Sequence, residues 1–184
     1  MEITIAVLLG TTRPKRKSIH AAHYVADIGR SYPNVNIVFV DPIAFHFPND
    51  GNDPEGKDPK YSAITANADA FFIVTPEYNH GYPGSLKRML DSEYDNYRHK
   101  PVALAGASNG PWGGVRVCEA LLPVLHRLGM IIIQPEVYFP YVQDIFDEAG
   151  NIKPEFAEHQ ETVIRTAYNE LIWMAKLFKN ARTA

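Results

Sequence analysis

An α/β fold built on a parallel sheet is what the sequence predicts, and two observations carry that reading. Short, nearly continuous apolar runs recur along the chain, and segments with helical spacing of apolar residues separate them. A third observation sets the scale. The chain has 184 residues, the size of one domain spanning 1–184 and enough to bury roughly 70% of its unfolded surface without metal or disulfide.

The runs are residues 3–9, 35–40, 70–75, 102–107 and 131–133. The first, third and fourth are almost wholly apolar, as strands covered on both faces must be. Ile19, Ala22, Ala26 and Gly29 keep helical spacing in the first crossover. Val117, Leu121, Val124 and Leu128 do so in the fourth, and Val163, Ala167, Leu171, Met174 and Phe178 mark a long C-terminal helix. Pro123 falls inside the fourth helix and is expected to kink it, since it removes a backbone donor. Residues 41–61 break the pattern. They hold four of the 14 prolines (42, 48, 54 and 59) and read as a lid, a binding loop or a disordered insert. There is no internal repeat.

Composition narrows the function. Eighteen basic against 21 acidic residues give a net charge of −3 and a pI near 6.1, which argues against general nucleic-acid binding. The single cysteine, Cys118, excludes an internal disulfide framework and an all-cysteine zinc site. No apolar run approaches the ~18 residues of a membrane span. The opening run follows Glu2 and ends at Gly10 without a cleavage signature, so it reads as a buried strand in a cytoplasmic protein.

In a doubly wound sheet ligands bind beyond the carboxyl ends of the strands, where strand order reverses. The loops after the first, third and fourth strands are therefore where chemistry belongs. The first, residues 10–18, reads GTTRPKRKS and holds four cations, two threonines and a serine just before a helix. Free amides and partial positive charge at a helix start, hydroxyl donors and the forked Arg13 together make a phosphate site. The loop lacks both G-x-x-x-x-G-K-[ST] and G-x-G-x-x-G, so a terminal phosphate monoester fits best; a solvated basic turn is the plain alternative.

The second loop reads TPEYNHGYPGSLK over 75–87. Pro76 ends the strand, Gly81 and Gly84 allow close approach of a ligand, and Asn79 tolerates left-handed backbone. Such a loop suits a flat, hydrogen-bonding ring, with Tyr78 and Tyr82 as walls. The third, GASNGPWGGVR over 106–116, brings glycines to the start of a helix, with Trp112 packing on ligand or on protein.

Other candidates have plain readings. Cys118 reads as a small core residue. His20 and His23 stand three apart on a helix without a third metal ligand, so no metal site is expected. His80 is either a proton donor to substrate or a turn residue. Tyr94 and Tyr97 are either solvated or at a subunit contact.

The three segments GTTRP at 10–14, PEYN at 76–79 with PGSLK at 83–87, and GGVR at 113–116 together resemble the NADPH-dependent FMN reductase family, which includes quinone, azo-dye and chromate reductases. The resemblance spans residues 3 to about 134. It implies a flavodoxin-like, doubly wound five-stranded parallel sheet of order 2-1-3-4-5 with helices on both faces. It places the FMN phosphate on Thr11, Thr12, Arg13 and a hydroxyl at the helix start. It places the isoalloxazine edge along Pro76, Glu77, Tyr78 and Asn79, mainly through backbone atoms, with Ser108 and Gly110 on the other side. This chain departs in one respect. A serine is common three residues after the arginine, whereas here Arg16 stands there and Ser18 follows, and either Arg16 or Ser18 is expected to take its place at the phosphate. The implied activity is transfer of hydride from NADPH or NADH to bound FMN. The electrons then pass to a quinone, free flavin, azo or metal-oxyanion acceptor in a ping-pong cycle, the flavin carrying the chemistry. The resemblance also implies a homodimer or homotetramer, expected here through residues 85–97 with Phe45 and Phe47. The alternatives are a one-electron carrier of flavodoxin type and a flavin-binding interaction or sensor protein.

Overall fold

Five parallel positions make up the sheet, and the computed structural model describes residues 1–47 and 56–183 of the chain. Strands β1 (Ile3–Leu9), β2 (Val35–Val40), β3 (Ala70–Pro76) and β4 (Pro101–Ala107) lie in the order β2-β1-β3-β4. The fifth position is shared by two short strands, β5 (Ile131–Ile132) and β6 (Val137–Phe139), both pairing parallel to β4. The order is thus 2-1-3-4-5, and the fold is flavodoxin-like. The expected strand at 131–133 is corrected to this broken pair. Pro135, which has no N–H to give to a ladder, sits in the gap.

Alternation along the strands splits the core in two. Ile3, Ile5, Val7 and Leu9 of β1 face α1 (Ser18–Arg30) and the long α6 (Pro154–Thr183), as do Phe72 and Val74 of β3. Ala6, Leu8, Phe71 and Ile73 face α2 (Pro59–Asn67), α3 (Gly84–Asp91) and α4 (Val115–Arg127). A short helix, α5 (Val142–Ile145), follows β6. Both faces of the sheet are covered, which is why its strands carry so few polar residues.

Two expectations change, the extent of the irregular stretch and the place of Tyr97. Helix α2 begins at Pro59, inside the stretch read as irregular. Asp58 caps it, accepting from the amides of Lys60 and Tyr61, and proline is well suited to the first helical position. Of the stretch 41–61, Pro42–Ala44 forms a 3-10 turn, and residues 48–55 lie outside the described residues. Helix α4 runs through Pro123 without interruption, and Pro123 is exposed. Tyr97 is neither solvated nor on the surface. It is fully buried with its hydroxyl 2.7 Å from that of Tyr61, and Leu86, Met89 and Leu90 are buried beside it.

The other end of the sheet is closed by charge pairs. The Asp69 carboxylate, before β3, accepts from Thr4 N at 3.0 Å, Lys179 Nζ at 2.8 Å and Arg182 at 3.2 Å. The buried Lys100 donates to the carbonyls of Thr65 and Ala66 at 2.7 and 2.9 Å, capping the end of α2.

Candidate active site

At the carboxyl end of the strands, between β1 and β3 where strand order reverses, a cleft of about 370 Å³ opens. One wall is the first loop, from Arg13 to Ser18; another is Pro76, Glu77 and Tyr78. Ala107, Ser108 and Asn109 follow β4, and Val142 comes from α5. Gly10 shapes the floor, because a Cβ there would sit 2.5 Å from Thr75 Oγ1, so only glycine lets β1 and β3 converge.

The first loop is braced from within. Thr11 is buried, its hydroxyl receives the Arg13 amide at 3.2 Å and lies 2.9 Å from the Tyr78 hydroxyl. The Arg13 guanidinium lies 5.9 Å above the Tyr78 ring. Arg16 turns away from solvent, donating to the Thr11 carbonyl at 2.9 Å and pairing with Asp41 at the end of β2. Ser18, buried at the first position of α1, lines the cleft, and α1 has no side-chain cap on its free amides. Arg13, Lys15 and Lys17 are exposed and form no ion pair among the described residues. Thr12 is exposed and outside the lining.

In the second loop Tyr78 and Gly81 exchange main-chain hydrogen bonds at 2.9 and 3.0 Å around Asn79 and His80. Both central residues are left-handed, with φ of 50° and 63°, which is the tight two-residue turn that asparagine favours. The Glu77 amide is also taken, by Ala107 O at 2.9 Å. Of the three backbone donors expected to meet a ring, those of Glu77 and Tyr78 are therefore engaged by the protein. The Asn79 amide has no partner among the described residues. His80 is exposed at the tip of the turn. The Glu77 side chain is 9% exposed. One carboxylate oxygen is 3.8 Å from Arg116; the other, Oε2, is buried with no hydrogen-bond partner.

The third loop corrects a reading of its glycines. A Cβ on Gly114 (φ 89°) would strike Ala107 N at 2.6 Å, and one on Gly113 (φ 60°) would strike Pro140 N at 2.9 Å. Their close approach is to the chain itself, seating α4 on the end of β4. Gly110 has open space around it and stands outside the lining. The loop is tied to α5 by Tyr141 N to Gly110 O at 3.2 Å and Val142 N to Ser108 O at 3.0 Å. Trp112 is 62% exposed, with the Arg116 guanidinium 5.9 Å over its ring. Cys118 is buried, and burial, aided by Glu136, Glu119 and Glu77, pushes its thiol up to about 12. That is no reactive thiolate. No group of three metal-ligating side chains occurs among the described residues.

Sequence reasoning missed Val142, since it lies beyond the last strand that the pattern revealed. It also could not see that Lys15 would be left-handed, with φ 54°.

A parallel sheet of this order with a cation-rimmed cleft at its switch point defines a flavodoxin-like protein. The model of the NADPH-dependent FMN reductase family matches residues 3–144, and the chain belongs to that family of oxidoreductases. It is 29% identical over 161 residues to the 2-hydroxy-1,4-benzoquinone reductase of Burkholderia sp, covering 84% of this chain and 88% of that one. It is 30% identical over 179 residues to the NAD(P)H-dependent FMN reductase C4B3.06c of Schizosaccharomyces pombe, covering 85% and 88%. Among solved structures, the flavoenzyme NAD(P)H:(acceptor) oxidoreductase FerB of Paracoccus denitrificans superposes with a TM-score of 0.75 at 20% identity, over 95% of this chain and 98% of that one. That likeness speaks to the fold.

Proposed function

We propose that this chain is an FMN-dependent NAD(P)H oxidoreductase that reduces quinone-class acceptors, with nicotinamide and acceptor using one slot in turn. The observation that carries the reading is the set of unpaired cations on the first loop, at the switch point of a chain of this family. Arg13, with the Ser18 hydroxyl and the free amides of α1, would hold the FMN phosphate, and Thr11 would fix the loop behind them. Thr12 stands at the rim. Pro76, Glu77, Tyr78 and Asn79 would border the ring system, with the free Asn79 amide as its main-chain donor. Ser108 would face them and Gly110 would leave room for the acceptor.

FMN, when bound, supplies the two-electron chemistry. What the chain contributes is position and field. The Thr11 hydroxyl and the Arg13 guanidinium restrain Tyr78 from two sides, and the exposed lysines draw anionic nicotinamide nucleotides toward the cleft. His80, on its rigid turn, is the candidate proton donor to an acceptor. Assembly as a homodimer or homotetramer in the cytoplasm belongs to the same proposal. The side chains of Leu86, Met89, Leu90 and Tyr97 are taken by the core, and the large apolar residues left exposed among those described are Met1, Ile43, Trp112, Tyr141, Trp173 and Leu177. Among the described residues no helix is long and apolar enough to cross a membrane.

The test is steady-state oxidation of NADPH and NADH by the FMN-loaded protein at several concentrations of 1,4-benzoquinone. Parallel double-reciprocal lines are expected for alternating occupancy. Converging lines would require both substrates bound at once. Tightly bound FMN with no oxidation of either nucleotide would hand the protein to the electron-carrier or sensor reading.

A further inference from the structure

Arg16 is one of the four cations of the first loop and lines the cleft, yet two of its guanidinium nitrogens are already engaged within the protein. One nitrogen donates to the Thr11 carbonyl at 2.9 Å and another pairs with the Asp41 carboxylate. The Arg16 side chain is 9% exposed and that of Asp41 27%. Asp41 is itself fixed, since its other oxygen accepts the Ile43 amide at 3.1 Å and caps the turn that follows β2. The loop is therefore held at both of its ends by groups from outside it, Tyr78 on Thr11 and Asp41 on Arg16. Between these anchors Lys15 keeps a left-handed backbone, φ 54°, which an L side chain adopts only at a cost. A loop without anchors would relax out of it.

We infer that Arg16 and Asp41 form a strut that holds the first loop in the shape that receives a phosphate, making Arg16 a positioning residue and not a phosphate ligand. This rests on the reading that the cleft takes FMN by its phosphate. The chemistry separates the two roles by sign. Asp41 is negative, so deleting it should by Coulomb's law help a nearby dianion bind. A loss of phosphate binding on deleting Asp41 therefore runs against the direct charge effect and reports the geometry that Asp41 imposes on Arg16 and the loop.

The experiment measures FMN and riboflavin affinity by quenching of flavin fluorescence in the wild-type chain, Arg16→Met, Asp41→Ala and the double variant. Thermal melts serve as the folding control. The strut predicts that each single change weakens FMN by roughly ten- to a hundredfold, the scale of one charge-assisted hydrogen bond. The double variant should be no weaker than the worse single one, because both break one element. Riboflavin, which lacks the phosphate, should change by less than about threefold, the size of a surface substitution's effect. Asp41→Asn, which keeps the shape and an acceptor for Ile43, should lose FMN in the same direction and carries the test if Asp41→Ala does not fold. FMN affinity that is unchanged or tighter in the Asp41 variants, with a loss in Arg16→Met, would overturn the strut and make Arg16 a direct ligand. Equal losses for FMN and riboflavin would reduce the pair to general stability and also overturn it. A wild-type chain that binds FMN no better than riboflavin would instead defeat the phosphate reading of the cleft.

Discussion

The two ends of the sheet carry similar charges in opposite conditions. At the amino end Asp69 holds a main-chain amide, a lysine and an arginine, and Lys100 is anchored on two carbonyls. At the carboxyl end Arg13, Lys15 and Lys17 have no acidic partner among the described residues, and Glu77 keeps a buried oxygen without a donor. A fold leaves polar groups unsatisfied at some cost. The contrast teaches that charge at the amino end serves stability, while the exposed cations at the carboxyl end make no ion pair among the described residues and suit the phosphate site proposed above. Arg16 is the exception that supports the rule. It sits at the functional end, yet it is paired, and its role is correspondingly one of support.

The largest effect that would break this contrast concerns Asp69. Replacing it with alanine strips the Thr4 amide, Lys179 and Arg182 of their common partner. Both cations are partly exposed and can be rehydrated, so the cost falls below that of a sealed ion pair, at roughly 2–3 kcal/mol. Urea denaturation should report that loss while FMN affinity stays as it was. A fall in FMN affinity of the same size would show that the two ends are not independent.

Arg13→Ala is the mirror experiment. It should weaken FMN by about 1.5–3 kcal/mol, the range for a hydrogen bond to a charged group, or about 10- to 150-fold in dissociation constant. Unfolding free energy should move by less than about 0.5 kcal/mol, as for an exposed side chain. Riboflavin binding should be nearly indifferent. Comparable losses for both flavins would sever Arg13 from the phosphate.

How much of this was legible follows from how local each feature is. Strands β1, β3 and β4 announce themselves through nearly continuous apolar runs, and the three loops through unusual residue types beside those runs. What escaped was set by pairing at a distance or by unclear punctuation. Helix α2 was hidden among prolines, although Asp58 followed by Pro59 is itself a helix-start signal. Strand β6 is three residues long and lies beyond Pro135, too short for a period to show. The direction of Arg16 depends on Asp41, 25 residues away, and nothing in the loop's own sequence says which cation will be tied. Likewise the amides of Glu77 and Tyr78 look free in sequence. They are consumed by Ala107 and Gly81 once β3 and β4 are paired and the turn is closed.

The smallest effect sharpens the comparison through pH. Lys100 is buried at the amino end, and burial, helped by the nearby charge of Arg182 and opposed by Asp69, lowers its pKa from 10.5 to about 8. Between those two values the unfolded chain holds a proton that the folded chain has released, so folding stability rises with pH across that window. The cap survives deprotonation, because a neutral amine still has two N–H donors for the carbonyls of Thr65 and Ala66. Tyr61, Tyr97 and Tyr168 act in the opposite sense. Burial raises each of them above 10.0, so above pH 10 the unfolded chain loses protons that the folded one keeps, and stability falls. Cys118, whose thiol burial raises from 9.0 to about 12, opposes Lys100 from pH 9 upward, so the expected profile is a shallow rise in melting temperature from pH 8 that flattens near pH 9 and falls above pH 10. In Lys100→Met the rise should vanish while the fall above pH 10 remains, whatever the offset caused by the lost cap. A wild-type profile that declines steadily from pH 8, with the same slope in Lys100→Met, would show that Lys100 keeps its proton and that its charge is fully compensated in the fold.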